Sequence, residues 1–530
     1  MANKPLVLVA CILGSGIAFL DGTIVNVALP AIASDLDAGL SIQQWVVGGY
    51  LLTLGSFLLV GGALGDLLGR RRVFVGGAAA FGAASLLCAL APSPVWLVVF
   101  RLLQGVAAAV LVPSTMGIIV TVFDEDERGR AIGTWTAWTG ISTVIGPLAG
   151  GLLVQAASWR WVFLVNLPFV VLTIVLTLRA MPDDRPPGRR APLDVRGAAL
   201  AALGLAGPVF ALIEQPDRGW GDPIVWGPLV AGIVFLAAFV AEERRAHDPM
   251  VPFELFRRRN FTAGNLATLA MYAGLGLPFF YLVLFLQQAA GYGPIQAGLA
   301  LLPVTLLMLA LSRRFGALAD RIGPRPLMTA GPLVGAVGLL LLVRVDAHPD
   351  YVRDLLPALV VFGIGLSATV APLTAAVLSA VDPEHAGAAS GVNNAVARVS
   401  GLLAVAATGV LVSMNFASAV DARVDARALS PPARAALARA KERPLSAQLP
   451  PTVRGRERVE LRRALQTGSA QALHMSILLA AGLLALAGAI SFVGVRDERR
   501  RSVPCEGCPG GALVGAPADP ARELVGATTV

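Results

Sequence analysis

Apolar runs of about 18 residues or more follow one another along nearly the whole chain, separated by short polar loops. Each run is long enough to cross the roughly 30 Å hydrocarbon core as a helix. In lipid a lone segment must satisfy its own backbone, and only a helix does so. The pattern predicts fourteen helices, over 7–30, 42–64, 73–91, 95–122, 130–156, 159–179, 195–214, 223–242, 261–288, 294–312, 326–345, 353–380, 386–413 and 470–494. The stretch 417–467 departs from it, being long, charged and rich in alanine, arginine and proline. Within it Arg434 to Arg443 and Arg454 to Gln466 read as short amphipathic helices, in a spacer or in a lid over the outer mouth.

Composition removes the soluble alternative. The chain is 56% apolar and 14% charged, with mean hydropathy +0.71, whereas soluble domains carry about 25% charge. The net charge of +8 would suit nucleic acid if its arginines formed a patch. Most of the alternate loops 65–72, 124–130, 180–194, 243–260, 313–325, 381–385 and the tail from Arg496 are instead arginine-rich. Loops with that excess stay on the cytoplasmic side, which predicts a multi-pass protein of the cytoplasmic membrane with both termini inside. Membrane lipid is the expected surrounding partner, nucleic acid is not, and a monomer is expected.

A repeat divides the chain. GGALGDLLGRRR, Gly61 to Arg72, joins the second and third runs, and GALADRIGPR, Gly316 to Arg325, joins the tenth and eleventh. The reading is an all-α protein of two six-helix bundles, 1–180 and 261–495, the second including an outer loop at 414–469. Two additional spans fill 181–260, and a disordered cytoplasmic tail covers 496–530. Transporters built from such repeats bind substrate near the midplane, between the halves.

Polar groups within the spans are the candidates for function, because each is costly in lipid unless partnered. Asp21 lies in the first span; it either carries a coupling proton or is a structural carboxylate. Arg101, with Gln104 three residues on, either pairs with Asp21 or snorkels to the outer boundary. Gly140, Gly146, Pro147, Gly150 and Gly151 make the fifth span a candidate hinge, since proline removes a ladder donor and glycine permits close helix approach. Asn26, Gln104, Asn166, Phe280, Asn394 and Arg398 are expected to line a substrate cavity, although some of these could only lock helices, and Phe280 with Phe279, Tyr281 and Phe285 could be an ordinary packing strip. In the repeated loops, Gly65, Asp66, Gly69, Arg70, Arg71, Asp320 and Arg321 form a candidate latch of weak ion pairs, or a purely topological anchor. Cys11 and Cys88 read as packing residues; the Cys505/Cys508 pair has no second ligand pair. His247, His348, His385 and His474 are scattered, and no nucleotide-binding or hydrolase motif occurs. No cofactor, metal or enzymatic activity is expected, which leaves an ion gradient as the energy source.

These motifs resemble the major facilitator superfamily, and more narrowly its fourteen-span drug:proton antiporter group, which includes the EmrB/QacA-type multidrug efflux pumps. The resemblance rests on Gly65, Asp66, Gly69, Arg70 and Arg71, on Leu20-Asp21 with Thr23 to Asn26 and Ala28 to Pro30, on Arg101, Gln104 and Gly105, and on Gly140, Gly146, Pro147, Gly150 and Gly151. Trp159 to Phe169 and Ser390 to Gly401 are similar to later segments of that group. The resemblance implies a proton-coupled antiporter that exports amphiphilic small molecules such as drugs, antibiotics or secondary metabolites, and the fifth-span motif favours export. A superfamily transporter of an endogenous metabolite, lipid or siderophore is the alternative. Spans after the first lack the extra carboxylates of dication exporters, which favours neutral, monocationic or zwitterionic substrates.

Overall fold

The computed structural model describes residues 3–182, 194–246, 251, 253–381, 386–425, 429–441, 444–445, 449–450 and 452–496. Expectations for the tail, Cys505, Cys508, His247 and His385 lie outside the described residues. So do the side chains of Asp66 and Asp320 and the surroundings of Gly140.

All described secondary structure is helical. The first half comprises α1 (Lys4–Asp35), α2 (Leu40–Leu68), α3 (Arg70–Ala89), α4 (Pro94–Val122), α5 (Glu125–Ala156), and α6 (Trp161–Leu164) continued by α7 (Asn166–Ala180). A hairpin of α8 (Val195–Arg218) and α9 (Pro223–Arg245) follows. The second half runs from α10 (Arg259–Leu277) through a π-turn at Pro278–Leu282 into α11 (Val283–Gln288), then α12 (Pro294–Ala300), α13 (Leu302–Ile322) and α14 (Pro324–Leu341). It ends with α15 (Leu356–Ser379), α16 (Ala386–Asp421), α17 (Pro431–Lys441) and α18 (Gly455–Gly494). Among the described residues, twelve helical stretches are long and apolar enough to cross a membrane, α8 and α9 included. The chain is a multi-pass membrane protein.

Several helices outrun their apolar cores. Helix α18 begins at Gly455, well before the apolar run near 470, and its 40 residues span about 60 Å. Charged residues end an apolar pattern without ending a helix. The 417–467 stretch is likewise built: Ala433, Ala436, Leu437 and Ala440 bury one face of α17 against α16 and α18. The Glu457 carboxylate accepts from the Ser430 backbone amide (2.8 Å) and hydroxyl (2.7 Å), which fixes the start of α17.

The repeated motifs are helix ends, each broken at one glycine. Asp66, expected in a loop, lies in the last turn of α2. Gly69 (φ 94°) and Gly323 (φ 88°) take a backbone conformation that disfavours side chains, and each lets the next helix begin at once. Two residues beyond each break an arginine caps the last helix of its own half. Arg71 Nη2 donates to Leu178 O of α7 (3.1 Å), and Arg325 Nε to Phe492 O of α18 (3.0 Å). Cations at carbonyl ends are favoured by the unpaired carbonyls and the helix dipole. Arg70 instead docks on α4 through Gly117 O and Thr121 Oγ1. Lys4 Nζ meets Asp124 and Glu127, both at 2.6 Å, and this bond holds the Asp124 carboxyl below the usual carboxylate range.

The halves meet mainly through α1 with α11 and α12, α2 with α16, and α5 with α12 and α13. Helix α8 lies across the junction and touches both α2 and α16. There Leu52, Val209, Ile213, Leu402 and Ala406 form a common apolar cluster.

Candidate functional site

Five helices of the first half deliver polar side chains to one buried point. Asp21 of α1 and Arg101 of α4 form an ion pair that is 0% and 1% exposed. Arg101 also donates to Gln104 Oε1 (2.7 Å) and Val46 O of α2 (2.8 Å), and its guanidinium lies 4.4 Å from the Tyr50 ring. Gln104 Nε2 donates to Asp21 Oδ1 (2.9 Å) and to Ser85 Oγ of α3 (2.8 Å). Asn166 Nδ2, at the start of α7, donates to the same Asp21 oxygen (3.1 Å). Arg101 is therefore drawn inward to a partner instead of snorkelling. The three-residue spacing places Arg101 and Gln104 on one face of α4, so one helix supplies both charge and amide.

Such a pair is a poor source of net stability but costly to break, about 3–5 kcal/mol when one partner is removed. Intact, the network ties α1, α2, α3, α4 and α7 together. Among the described residues the second half has no charged counterpart. Its nearest equivalent is neutral, Asn393 Nδ2 donating to Thr268 Oγ1 (2.8 Å) and Asn265 Oδ1 (3.3 Å).

The residues expected at a cavity separate. Gln104 and Asn166 belong to the buried network. Phe280 is 3% exposed within the π-turn, T-shaped against Tyr281, while Phe279 is half-buried. The extra residue of a π-turn rotates the helix face, so an aromatic run on either side of it does not keep one face. Asn394 is exposed and donates to Ser390 O (3.0 Å). Asn26 is half-buried on α1, its Oδ1 accepting no protein hydrogen bond. Arg398 is half-buried on α16, 5.8 Å from the Phe19 ring of α1. Arg321, of the expected latch, is exposed.

The fifth-span glycines lie at two contacts. A Cβ on Gly146 would sit 2.0 Å from Thr23 Oγ1, and one on Gly150 2.8 Å from Ile24, both on α1. Gly151 faces the other half: its Cβ would fall 2.7 Å from the Ile295 backbone of α12. Reciprocally, a Cβ on Gly298 of α12 would meet Pro147 O at 2.5 Å. Helices α5 and α12 thus cross backbone to backbone, as small residues in membranes permit.

Beside that crossing lies a polar clasp the sequence reading missed. Gln44 Nε2 donates to Tyr281 Oη and Val405 O, both at 2.9 Å, and Tyr281 Oη also reaches Val405 O (2.7 Å). Gln287 Nε2 donates to Val27 O (3.0 Å) and Gln288 Nε2 to Gln43 Oε1 (3.3 Å). The four glutamine bonds link the two halves, and the Tyr281–Val405 bond braces the second half behind them. The available signal was a Gln-Gln pair near the outer end of one span in each half, Gln43-Gln44 and Gln287-Gln288.

Comparison with known proteins agrees with this architecture. The sequence profile described as Major Facilitator Superfamily matches residues 11–405. The chain is 40% identical over 391 residues to the puromycin resistance protein pur8 of Streptomyces alboniger, covering 73% of this chain and 77% of that protein. It is 35% identical over 408 residues to the tetracenomycin C resistance and export protein of Streptomyces glaucescens (77% and 75%). It is 37% identical over 391 residues to the cephamycin export protein CmcT of Amycolatopsis lactamdurans (73% and 80%). A solved bacterial homolog of the human lysosomal transporter Spinster, inward-facing and occupied, superposes with TM-score 0.63 at 18% identity over 93% of this chain and 96% of that one.

Proposed function

The chain belongs to the major facilitator superfamily, and from that premise we propose that it is a proton-coupled antiporter that exports an amphiphilic drug, antibiotic or other secondary metabolite across the cytoplasmic membrane. The observation that carries the coupling is the buried Asp21–Arg101 pair with its Gln104 and Asn166 donors. A proton delivered to Asp21 cancels the carboxylate, leaves Arg101 without its counter-ion and loosens five helices together. The α5–α12 crossing and the glutamine clasp then separate, and the cavity changes sides. In this reading the joined ends of the halves face outward, the present conformation opens to the cytoplasm, and both termini are cytoplasmic. Helices α8 and α9 are two spans added between six-span halves, fourteen in all, as in the EmrB/QacA-type group. Asp66, Asp320 and the arginines beside them bias which side is open, with protons, substrate and lipid as the only partners of a monomer.

The relatives named above support export by what their names say of them: resistance to, or export of, an antibiotic. Each name carries one compound, which favours a dedicated exporter of a single metabolite over a broad multidrug pump. The test is the full-length protein in liposomes with an acidic lumen. A panel of ethidium, N-phenyl-1-naphthylamine and 8-anilinonaphthalene-1-sulfonate spans cationic, neutral and anionic amphiphiles. Gradient-dependent accumulation of at least one dye above protein-free liposomes is expected. Movement that ignores the gradient would remove proton coupling, and no movement of any dye or antibiotic amphiphile would remove export.

A further inference from the structure

The two intramembrane arginines are treated differently by the fold. Arg101 is satisfied from within, by a carboxylate, an amide oxygen and a backbone carbonyl. Arg398 lies about 14 Å along the helix from Ala389, the start of a 33-residue candidate span, well inside the hydrocarbon depth. Its Nε donates to no protein acceptor, and no ion pair found among the described residues includes it. Its guanidinium lies 5.8 Å from the Phe19 ring, and its electrostatic neighbours are the hydroxyls of Tyr50 and Tyr272, not carboxylates. A guanidinium has five donors in a planar fork matched to two oxygens of one anion. An uncompensated charge at this depth is expensive, and charges kept there face a cavity or a ligand.

Its position adds direction. Arg398 projects from α16 of the second half toward the first: its guanidinium lies 5.8 Å from the Phe19 ring of α1, and a Cβ on Gly55 of α2 would touch Arg398 Cβ at 3.8 Å. On α1, Phe19, Gly22 and Asn26 are half-buried at helical spacing, so one stripe of that helix borders the same space, with Gly22 toward Tyr50. We propose that Arg398 anchors the substrate by a single anionic group, a carboxylate, sulfonate or phenolate, on an aromatic body that rests against Phe19 and the neighbouring tyrosines. This rests on the export reading and replaces the neutral, monocationic or zwitterionic substrates expected from the sequence with monoanionic ones.

The test is equilibrium binding to the full-length protein in lipid nanodiscs without any gradient, corrected for empty nanodiscs. The probes are 8-anilinonaphthalene-1-sulfonate and N-phenyl-1-naphthylamine, which share an aryl-amine body and differ by the sulfonate. The wild-type protein should bind the sulfonate at least about tenfold tighter than its neutral counterpart, the scale of a hydrogen bond to a charged group. Arg398→Gln should abolish that ratio while retaining the neutral probe, and Arg398→Lys should keep part of it. An unchanged ratio in Arg398→Gln overturns the proposal, and so does loss of the neutral probe together with the anion, which marks a structural arginine. A wild-type preference for ethidium over the sulfonate overturns it without any variant. A protein that binds the sulfonate through Arg398 yet moves nothing under a pH gradient refutes export alone.

Discussion

Replacing Asp21 by asparagine removes one charge and almost no volume. In the structure Gln104 and Asn166 donate to Oδ1 at 2.9 and 3.1 Å, while Arg101 donates to Oδ2. An amide can supply an oxygen to one side only. Its NH2 must then face either the guanidinium or the two amide donors, and Arg101, 1% exposed, keeps a charge with no counter-ion. Removing one member of a buried pair costs about 3–5 kcal/mol; Val46 O, Gln104 Oε1 and the Tyr50 ring retain part of the solvation. If about 3 kcal/mol of this cost falls on the present conformation alone, the ratio of conformers shifts roughly 150-fold. Spin labels at the exposed Val95→Cys and Val352→Cys, at the joined ends of α4 and ahead of α15, read that shift as a distance distribution. Cys11 and Cys88 are buried and can stay, and Cys505 and Cys508 are changed to serine. Asp21→Asn should populate a longer distance at neutral pH, and the wild type should reach it only on acidification. An unchanged distribution in Asp21→Asn would refute the switch and leave the pair as a structural clamp.

Gln44→Ala removes two neutral hydrogen bonds across the halves, each worth about 0.5–1.5 kcal/mol, and should lengthen the same label pair with a smaller shift than Asp21→Asn. Gly151→Val places a side chain against the Ile295 backbone and should abolish dye export in cells, whereas Gly76→Ala, with nothing within 4 Å of its new carbon, should leave export and expression intact. Arg71→Ala and Arg325→Ala each uncap a terminal helix and should lower stability of the detergent-solubilised protein by about 1 kcal/mol, to a similar degree in the two halves. A loss confined to one half would contradict the paired capping role.

The apolar pattern made the membrane character legible, because long uncharged runs have one physical use. It shortened the helices systematically: α13 continues through the second repeat to Ile322 and α18 starts at Gly455, since polarity marks where lipid ends, not where hydrogen bonding ends. Asp21, Arg101 and Gln104 stood out because charge in lipid demands a partner. Gln43, Gln44, Gln287 and Gln288 did not, because neutral amides near span ends need no explanation until the halves are brought together. Phe280 was hidden by the π-turn, which changes the helical register without leaving a mark in composition. Tyr50 and Ser85 read as ordinary span residues, and only the fold turns them toward Arg101 and Gln104.

The central claim is that Asp21 carries the proton that drives export. Liposomes holding wild-type protein or Asp21→Asn can be compared in two modes, accumulation of a transported dye under an acidic-lumen gradient and one-for-one exchange of labelled for unlabelled dye without a gradient. The account predicts that Asp21→Asn keeps exchange and loses accumulation. Accumulation equal to wild type in Asp21→Asn would contradict it.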